Sequence, residues 1–408
     1  MDLFDPDSSH MNTELEHVRA TARFSMPVAT FLIFLALYGS TANWSVSEQN
    51  VDTIAATLPA WHLLTAGNLD LSEYHGLNPW FIETPTGVWT NRPPGLIGVA
   101  LLAHAIFAPF DAGYHGYPGT LASVAMTAAA VAIVAGLVRR RVGNRAAWLT
   151  AIALGAGSAA WPQASSELVP HGIDMFILAL VMLALEKDRL ISAGILLGLA
   201  VLVRPPLAIV ALVCGVGLAY QRRDRGPLIQ VGGPAAVGFG LLVLYNRLMF
   251  GAFSISGGYE TILETSAEYR TPSGYLRNLT GTFFDPTNGL FLWSSWILVA
   301  TIATLMLRPS RKGDWPMIAA LAGLSYLLIH TALNRYWGGV AFSYRYPLEP
   351  LVLATPLLAR SFPTLMATRP LRLVLLLTVG VSIALQGAVS ILLTCTDGVG
   401  GVATCSLT

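Results

Sequence analysis

The sequence predicts an all-α integral membrane protein of about eleven transmembrane helices, with a long first extracytoplasmic loop that contains interfacial helices. Three observations lead there. Of the 408 residues, 54% are hydrophobic and only 12% charged, roughly half the charge share of an average soluble domain. Apolar runs of about 20 residues, the length needed to cross a bilayer, recur from Phe24 almost to the C-terminus. The basic clusters between these runs can all be placed on one side of the membrane.

Residues 1–23 form a polar, acidic tail (Asp2, Asp5, Asp7, Glu14, Glu16) without the apolar core or small-residue cleavage site of a signal peptide, so the first span, 24–43, is expected to remain as an anchor. The first outer loop, 44–118, follows. It is far longer than a connector needs, and long loops on rigid scaffolds tend to carry function. Further spans are read at 119–138, 146–161, 171–185, 190–220 as a hairpin, 228–248, 289–307, 315–332, 346–360 and 371–393, which makes 24–393 one polytopic domain. Residues 394–408 are a short extracytoplasmic tail, where Cys395 and Cys405 could close a disulfide.

The clusters Arg139–Arg141 with Arg145, Lys187 with Arg189, Arg222, Arg223 and Arg225, Arg308 with Arg311 and Lys312, and Arg360 with Arg369 and Arg372 are cytoplasmic if the positive-inside rule holds. Two irregularities follow. The apolar segment from Pro94 to Phe110 cannot span and should lie along the outer interface or dip in and return. The stretch from Leu190 to Tyr220 should be two short helices broken at Arg204, Pro205 and Pro206. The N-terminus is then cytoplasmic and the C-terminus extracytoplasmic. Of the 24 Lys and Arg residues, 17 fall on the cytoplasmic side.

The other seven are all arginines: Arg92, Arg204, Arg247, Arg270, Arg277, Arg335 and Arg345. Any one of them could pair with a loop acid or snorkel to headgroups. As a set without lysine they point to an anionic ligand, because the guanidinium fork matches phosphate or carboxylate. No polybasic stretch suggests nucleic acid. Asp52 comes nine residues after the first span, ahead of a run with apolar residues at helical spacing. Two readings fit it: an N-cap, or a carboxylate aimed into a site from a surface helix. Glu167 and His171 lie at the same depth in "WPQASSELVPHGID"; His171 reads first as a satisfied interfacial histidine and second as a base. Tyr259, Trp337, Tyr344 and Tyr346 offer aromatic faces, and Trp337 precedes two glycines that permit close approach.

Several strings together resemble the GT-C superfamily of polytopic glycosyltransferases, whose relatives include the protein O-mannosyltransferases and the lipid A aminoarabinose transferase. They are "VDTIAATLPAWHLLTAGNLDL", "NRPPGLIGVALLAHAIF", "WPQASSELVPHGIDMFILAL", "SAGILLGLAVLVRPPLAIVAL", "LYNRLMFGAFSISGGY", "FFDPTNGLFLWSS" and "RYWGGVAFSYRYPLEPL", in an order that covers nearly the whole chain. The resemblance implies transfer of a sugar from a polyprenyl-phosphate donor to an extracytoplasmic glycan, glycolipid or protein, in a plasma or inner membrane. Asp52 would be the catalytic acid of the first loop, with Glu167 and His171 where relatives carry a second Asp. Arg345 and Arg92, and then Arg204, would meet the donor phosphate; Trp337, Tyr344 and Tyr259 would meet sugar or acceptor. A divalent metal stays open as a cofactor, although no metal-ligand spacing of Cys or His occurs. The competing class is a transporter or flippase of a lipid-linked saccharide, against which stand the absence of an internal repeat and the gathering of charge at one face.

Overall fold

The apolar runs become helices because nothing in them competes with the helical backbone and each can bury one face against its neighbours. The computed structural model describes residues 26–44, 50–110, 113–259, 267–307, 314–336, 342–397 and 403–407, the last ten of these as backbone alone. Helices run at Met26–Thr41 (α1), Val51–Ala66 (α2), Pro94–Phe107 (α3), Tyr117–Arg141 (α4), Asn144–Gly155 (α5), Pro170–Glu186 (α6), Leu190–Val203 (α7), Ala208–Arg222 (α8) and Gly226–Phe250 (α9). They continue at Pro272–Phe284 (α10) and Ser295–Leu307 (α11), Trp315–Leu333 (α12), Leu348–Ala367 (α13) and Arg369–Leu392 (α14).

Each expected span meets a helix, and six helices among the described residues are long and apolar enough to cross a membrane by length and composition. The protein is a multi-pass helical membrane protein. Large apolar side chains stand outward along its flanks, Ile229 at 71%, Leu305 at 72% and Leu377 at 65% exposure, which water would not tolerate on this scale. The break expected at Arg204 is present: that residue is extended (φ −146°, ψ 104°) and Pro205–Leu207 form a 3-10 turn before α8. The span expected at 146–161 stops instead at Gly155. Pro162 lacks the N–H a continued helix would need, and the chain makes a π-turn over Ala160–Ala164.

The all-α expectation missed two short hairpins. One pairs Phe81–Thr84 (β1) with Gly87–Thr90 (β2), and the other pairs Leu393–Asp397 (β3) with Ala403–Leu407 (β4), setting Cys395 opposite Cys405 in the register. Strands of four or five residues carry too little alternation to be read from sequence.

Two packing features fix the frame. Helices α7 and α9 approach so closely that a Cβ on Gly238 would collide with the Gly198 backbone. At the far end of α6, Arg141 closes the bundle: it pairs with Glu186 (2.5 Å) and Asp314 (3.0 Å) and lies 4.9 Å from the Trp315 ring centroid. Asp314 also takes Arg360, and Trp315 Nε1 donates to Glu186 (2.7 Å). Four helices meet there. Arg141→Ala leaves Glu186 with only Trp315 and Asp314 with only Arg360, so it should cost about 1–3 kcal/mol, the range for partly buried pairs. A thermal melt in lipid nanodiscs, read by tryptophan fluorescence, checks this; an unchanged Tm would show the network to be ornamental.

Candidate active site

The site lies at the end of the bundle opposite Arg141, and the first long loop builds half of it. Asn50 caps α2, its side chain accepting from the Asp52 N–H (2.8 Å). The N-cap reading of Asp52 is thereby corrected: Asp52 sits inside the first turn, where the helix dipole favours a carboxylate, and its side chain is free for other partners. Glu167 braces this turn, accepting from Asn50 Nδ2 (2.7 Å) and Thr53 Oγ1 (3.0 Å). Asn78 Nδ2 donates to the Val51 carbonyl (2.8 Å). The β1–β2 hairpin is tied to the same helix through Thr90 Oγ1, which donates to the Ala55 carbonyl (2.6 Å). Arg92, two residues beyond the hairpin, is thus delivered to Asp52.

The contact is direct. Arg92 Nη2 lies 2.5 Å from Asp52 Oδ1, Arg92 Nη1 donates to the Tyr259 hydroxyl (2.7 Å), and the guanidinium sits 5.3 Å from the Trp80 ring centroid. Arg345 approaches the other carboxylate oxygen, Nη1 to Oδ2 at 3.5 Å. Burial pushes the Asp52 carboxyl up, but the charges of Arg92 and then Arg345 outweigh it and hold the group below the ordinary carboxylate range. Asp52 is an ionised carboxylate between two guanidiniums.

Beneath it lies a second, deeper group. His171, in the first turn of α6, places Nδ1 2.8 Å from Glu349 Oε1; Arg204, from the α7–α8 break, places Nη1 2.5 Å from the same oxygen. Glu349 is wholly buried in the first turn of α13. Tyr346 joins the two groups: its ring centroid is 5.3 Å from the Arg204 guanidinium and 5.6 Å from that of Arg345, and 4.3 Å from the His330 ring. Both carboxylate oxygens of buried Asp174, Glu349 Oε2, the Tyr326 hydroxyl and both His330 nitrogens have no protein partner. Buried polar groups of this kind are rare in folded proteins, and their concentration makes this end of the bundle the candidate site.

Of the residues singled out from sequence, the fold brings together Asp52, Arg92, Arg345 and Tyr259, sets Glu167 behind Asp52, and places His171 with Arg204 one layer deeper. Tyr344 is corrected. It is 1% exposed, and its hydroxyl is spent in the core on Ser294 Oγ (2.8 Å) and the Ala159 N–H (3.3 Å), leaving no face for a sugar. Trp337 lies outside the described residues. Glu349 and Asp174 escaped notice, although an acid inside an expected span is itself a signal of function. Among the described residues no group of three or more His, Cys, Asp or Glu is placed to hold a metal.

The structure is a polytopic helical bundle with a buried acid–arginine centre at one end. The model for glycosyltransferase family 87 matches residues 89–331, and the chain belongs to that family. The matched stretch includes Arg92, His171, Arg204 and Tyr259; Asp52, Arg345 and Glu349 lie outside it. ArnT from Cupriavidus metallidurans, solved bound to undecaprenyl phosphate, has a similar fold: TM-score 0.52 at 15% identity, covering 84% of this chain and 60% of that one. The chain thus matches only 60% of the length of that protein. Curated proteins yield no match.

Proposed function

We propose that the chain transfers a sugar from a polyprenyl-phosphate donor to an acceptor hydroxyl at the extracytoplasmic face, with Asp52 as general base. The observation that carries this reading is the ionised Asp52 carboxylate held between Arg92 and Arg345 at 2.5 and 3.5 Å. In the reaction the acceptor oxygen gives its proton to Asp52 and bonds to the anomeric carbon. The bond from that carbon to the phosphate oxygen breaks, and the lipid phosphate leaves with the electron pair, its charge met by Arg345 and Arg92. Attack opposite the leaving group inverts the anomeric centre. Glu167 serves to fix the start of α2, and the pair of His171 and Glu349 fixes Arg204 below. The undecaprenyl phosphate bound to ArnT, a protein of similar fold, supports a lipid phosphate as leaving group here.

The orientation that serves this chemistry has about eleven crossings, the N-terminus in the cytoplasm and the C-terminus outside. The Arg141 network then faces the cytoplasm together with the basic clusters, as the positive-inside rule requires. The exposed end of α3, with Leu102 at 66% and Ile106 at 67% exposure, lies in the outer interface.

The test is purified protein in lipid, supplied with a panel of polyprenyl-phosphate sugars with and without acceptor extracts, and assayed for released polyprenyl phosphate. Turnover of one donor fits the reading. Transbilayer movement of labelled donor without turnover would replace it with a flippase.

A further inference from the structure

A cleft of about 640 Å³ lies between α10, the turn Ala267–Arg270 and Tyr336, lined in part by Glu268, Tyr269, Arg277, Phe284 and Asp285. Its size falls within the roughly 300–1,000 Å³ of small-molecule clefts. Its floor is built rather than accidental. Asn278, fully buried, donates through Nδ2 to the carbonyls of Thr331 (2.5 Å) and Asn334 (2.7 Å) and accepts the Tyr336 N–H (2.8 Å). The Tyr336 ring lies over Gly281, where any Cβ would stand 2.6 Å from it, and its hydroxyl donates to Asp285 Oδ2 (2.8 Å).

Asp285 carries the link to the reacting end. Its Oδ1 accepts from the N–H groups of Thr287 (2.8 Å) and Asn288 (2.9 Å). That turn clamps the next segment: Ser343 N donates to the Thr287 carbonyl (2.9 Å), and Asn288 Nδ2 to the Ser343 carbonyl (3.0 Å). Ser343 stands two residues before Arg345, which touches Asp52. The Asp285 turn thus holds Tyr336 at the cleft on one side and Ser343, two residues from Arg345, on the other. The polar lining mixes donors and acceptors and carries no excess of positive charge: its acids are Glu268 and Asp285, and its basic residue Arg277 pairs with Glu268 at 3.3 Å on the rim. Aromatic faces beside such a set suit the C–H face and hydroxyls of a pyranose better than they suit a phosphate.

We propose that this cleft binds the acceptor as a neutral saccharide, whether a glycan or the headgroup of a glycolipid, and holds it for attack at the Asp52 site. The inference rests on the glycosyltransferase reading above, and the test separates the two. Thr280→Trp fills the cleft mouth from the exposed face of α10, and Arg277→Ala removes a rim donor; neither belongs to the acid–arginine centre. Each variant, in lipid with a turned-over labelled polyprenyl-phosphate sugar, is given the total lipid extract or the water-soluble glycan extract of its native cells in separate arms. Release of sugar to water is measured without acceptor.

Thr280→Trp should raise the acceptor KM about tenfold or more, and Arg277→Ala in the same direction by less, while hydrolysis of donor by water stays within about twofold of wild type. The arm that responds identifies glycolipid or glycan. Wild-type acceptor KM in both variants overturns the cleft. Undiminished transfer in Asp52→Asn in the same preparation instead overturns the catalytic reading, and leaves the cleft result standing by itself.

Discussion

Asp52→Asn is expected to lower sugar transfer by about 10²–10⁴-fold, the range for loss of a general base, with donor binding no weaker than in wild type. Asparagine keeps the shape but has no basic carboxylate to accept the acceptor's proton. It also ceases to compete with a phosphate for Arg92 and Arg345, which hold Asp52 at 2.5 and 3.5 Å, so KM for donor should stay level or fall. Transfer at wild-type rate, with normal protein level, would remove Asp52 from the mechanism. The pH profile gives an independent check. Because the two guanidiniums hold the carboxyl below its ordinary value, the base is already ionised at neutrality, and no acid limb from Asp52 should enter above pH about 4. The sign for stability is the same: a depressed folded pKa adds stability that is present above the unfolded value and lost as pH falls through the folded one. An acid limb near neutrality that vanishes in Asp52→Asn would contradict this picture.

Glu349→Ala should have the largest effect on stability, about 3–5 kcal/mol, because it strips a fully buried carboxylate from Arg204 and leaves that guanidinium uncompensated. Loss of the Glu349 contact also frees His171. Replacing both partners with apolar side chains of similar volume, Glu349→Leu with Arg204→Met, should recover more than half of that loss. Thermal unfolding in nanodiscs compares the single and double variants. If the single variant melts with wild type, the pair holds nothing; if the double variant recovers stability but not transfer, Arg204 has a role in the reaction beyond packing.

Much of the architecture was already in the sequence. Apolar length dictated where helices form, since a backbone in lipid must satisfy its own hydrogen bonds, and the Arg204-Pro205-Pro206 break was legible because proline removes the donor that a continuous helix needs. The arginine set without lysine pointed to an anion. Asp52, Arg92 and Arg345 could be named singly. Whether they meet was decided by the tertiary fold, because Asp52 and Arg345 stand 293 residues apart and a hairpin too short to read carries Arg92 back onto α2. The same holds one layer down: His171 and Glu349 are separated by 178 residues, and no local pattern records that three elements converge on one carboxylate oxygen. Tyr344 and Arg345 are neighbours in an aromatic, basic string, yet one is turned into the core and the other onto Asp52. Sequence set which groups are available for chemistry; packing alone, by choosing which of them lose water together, set which ones meet.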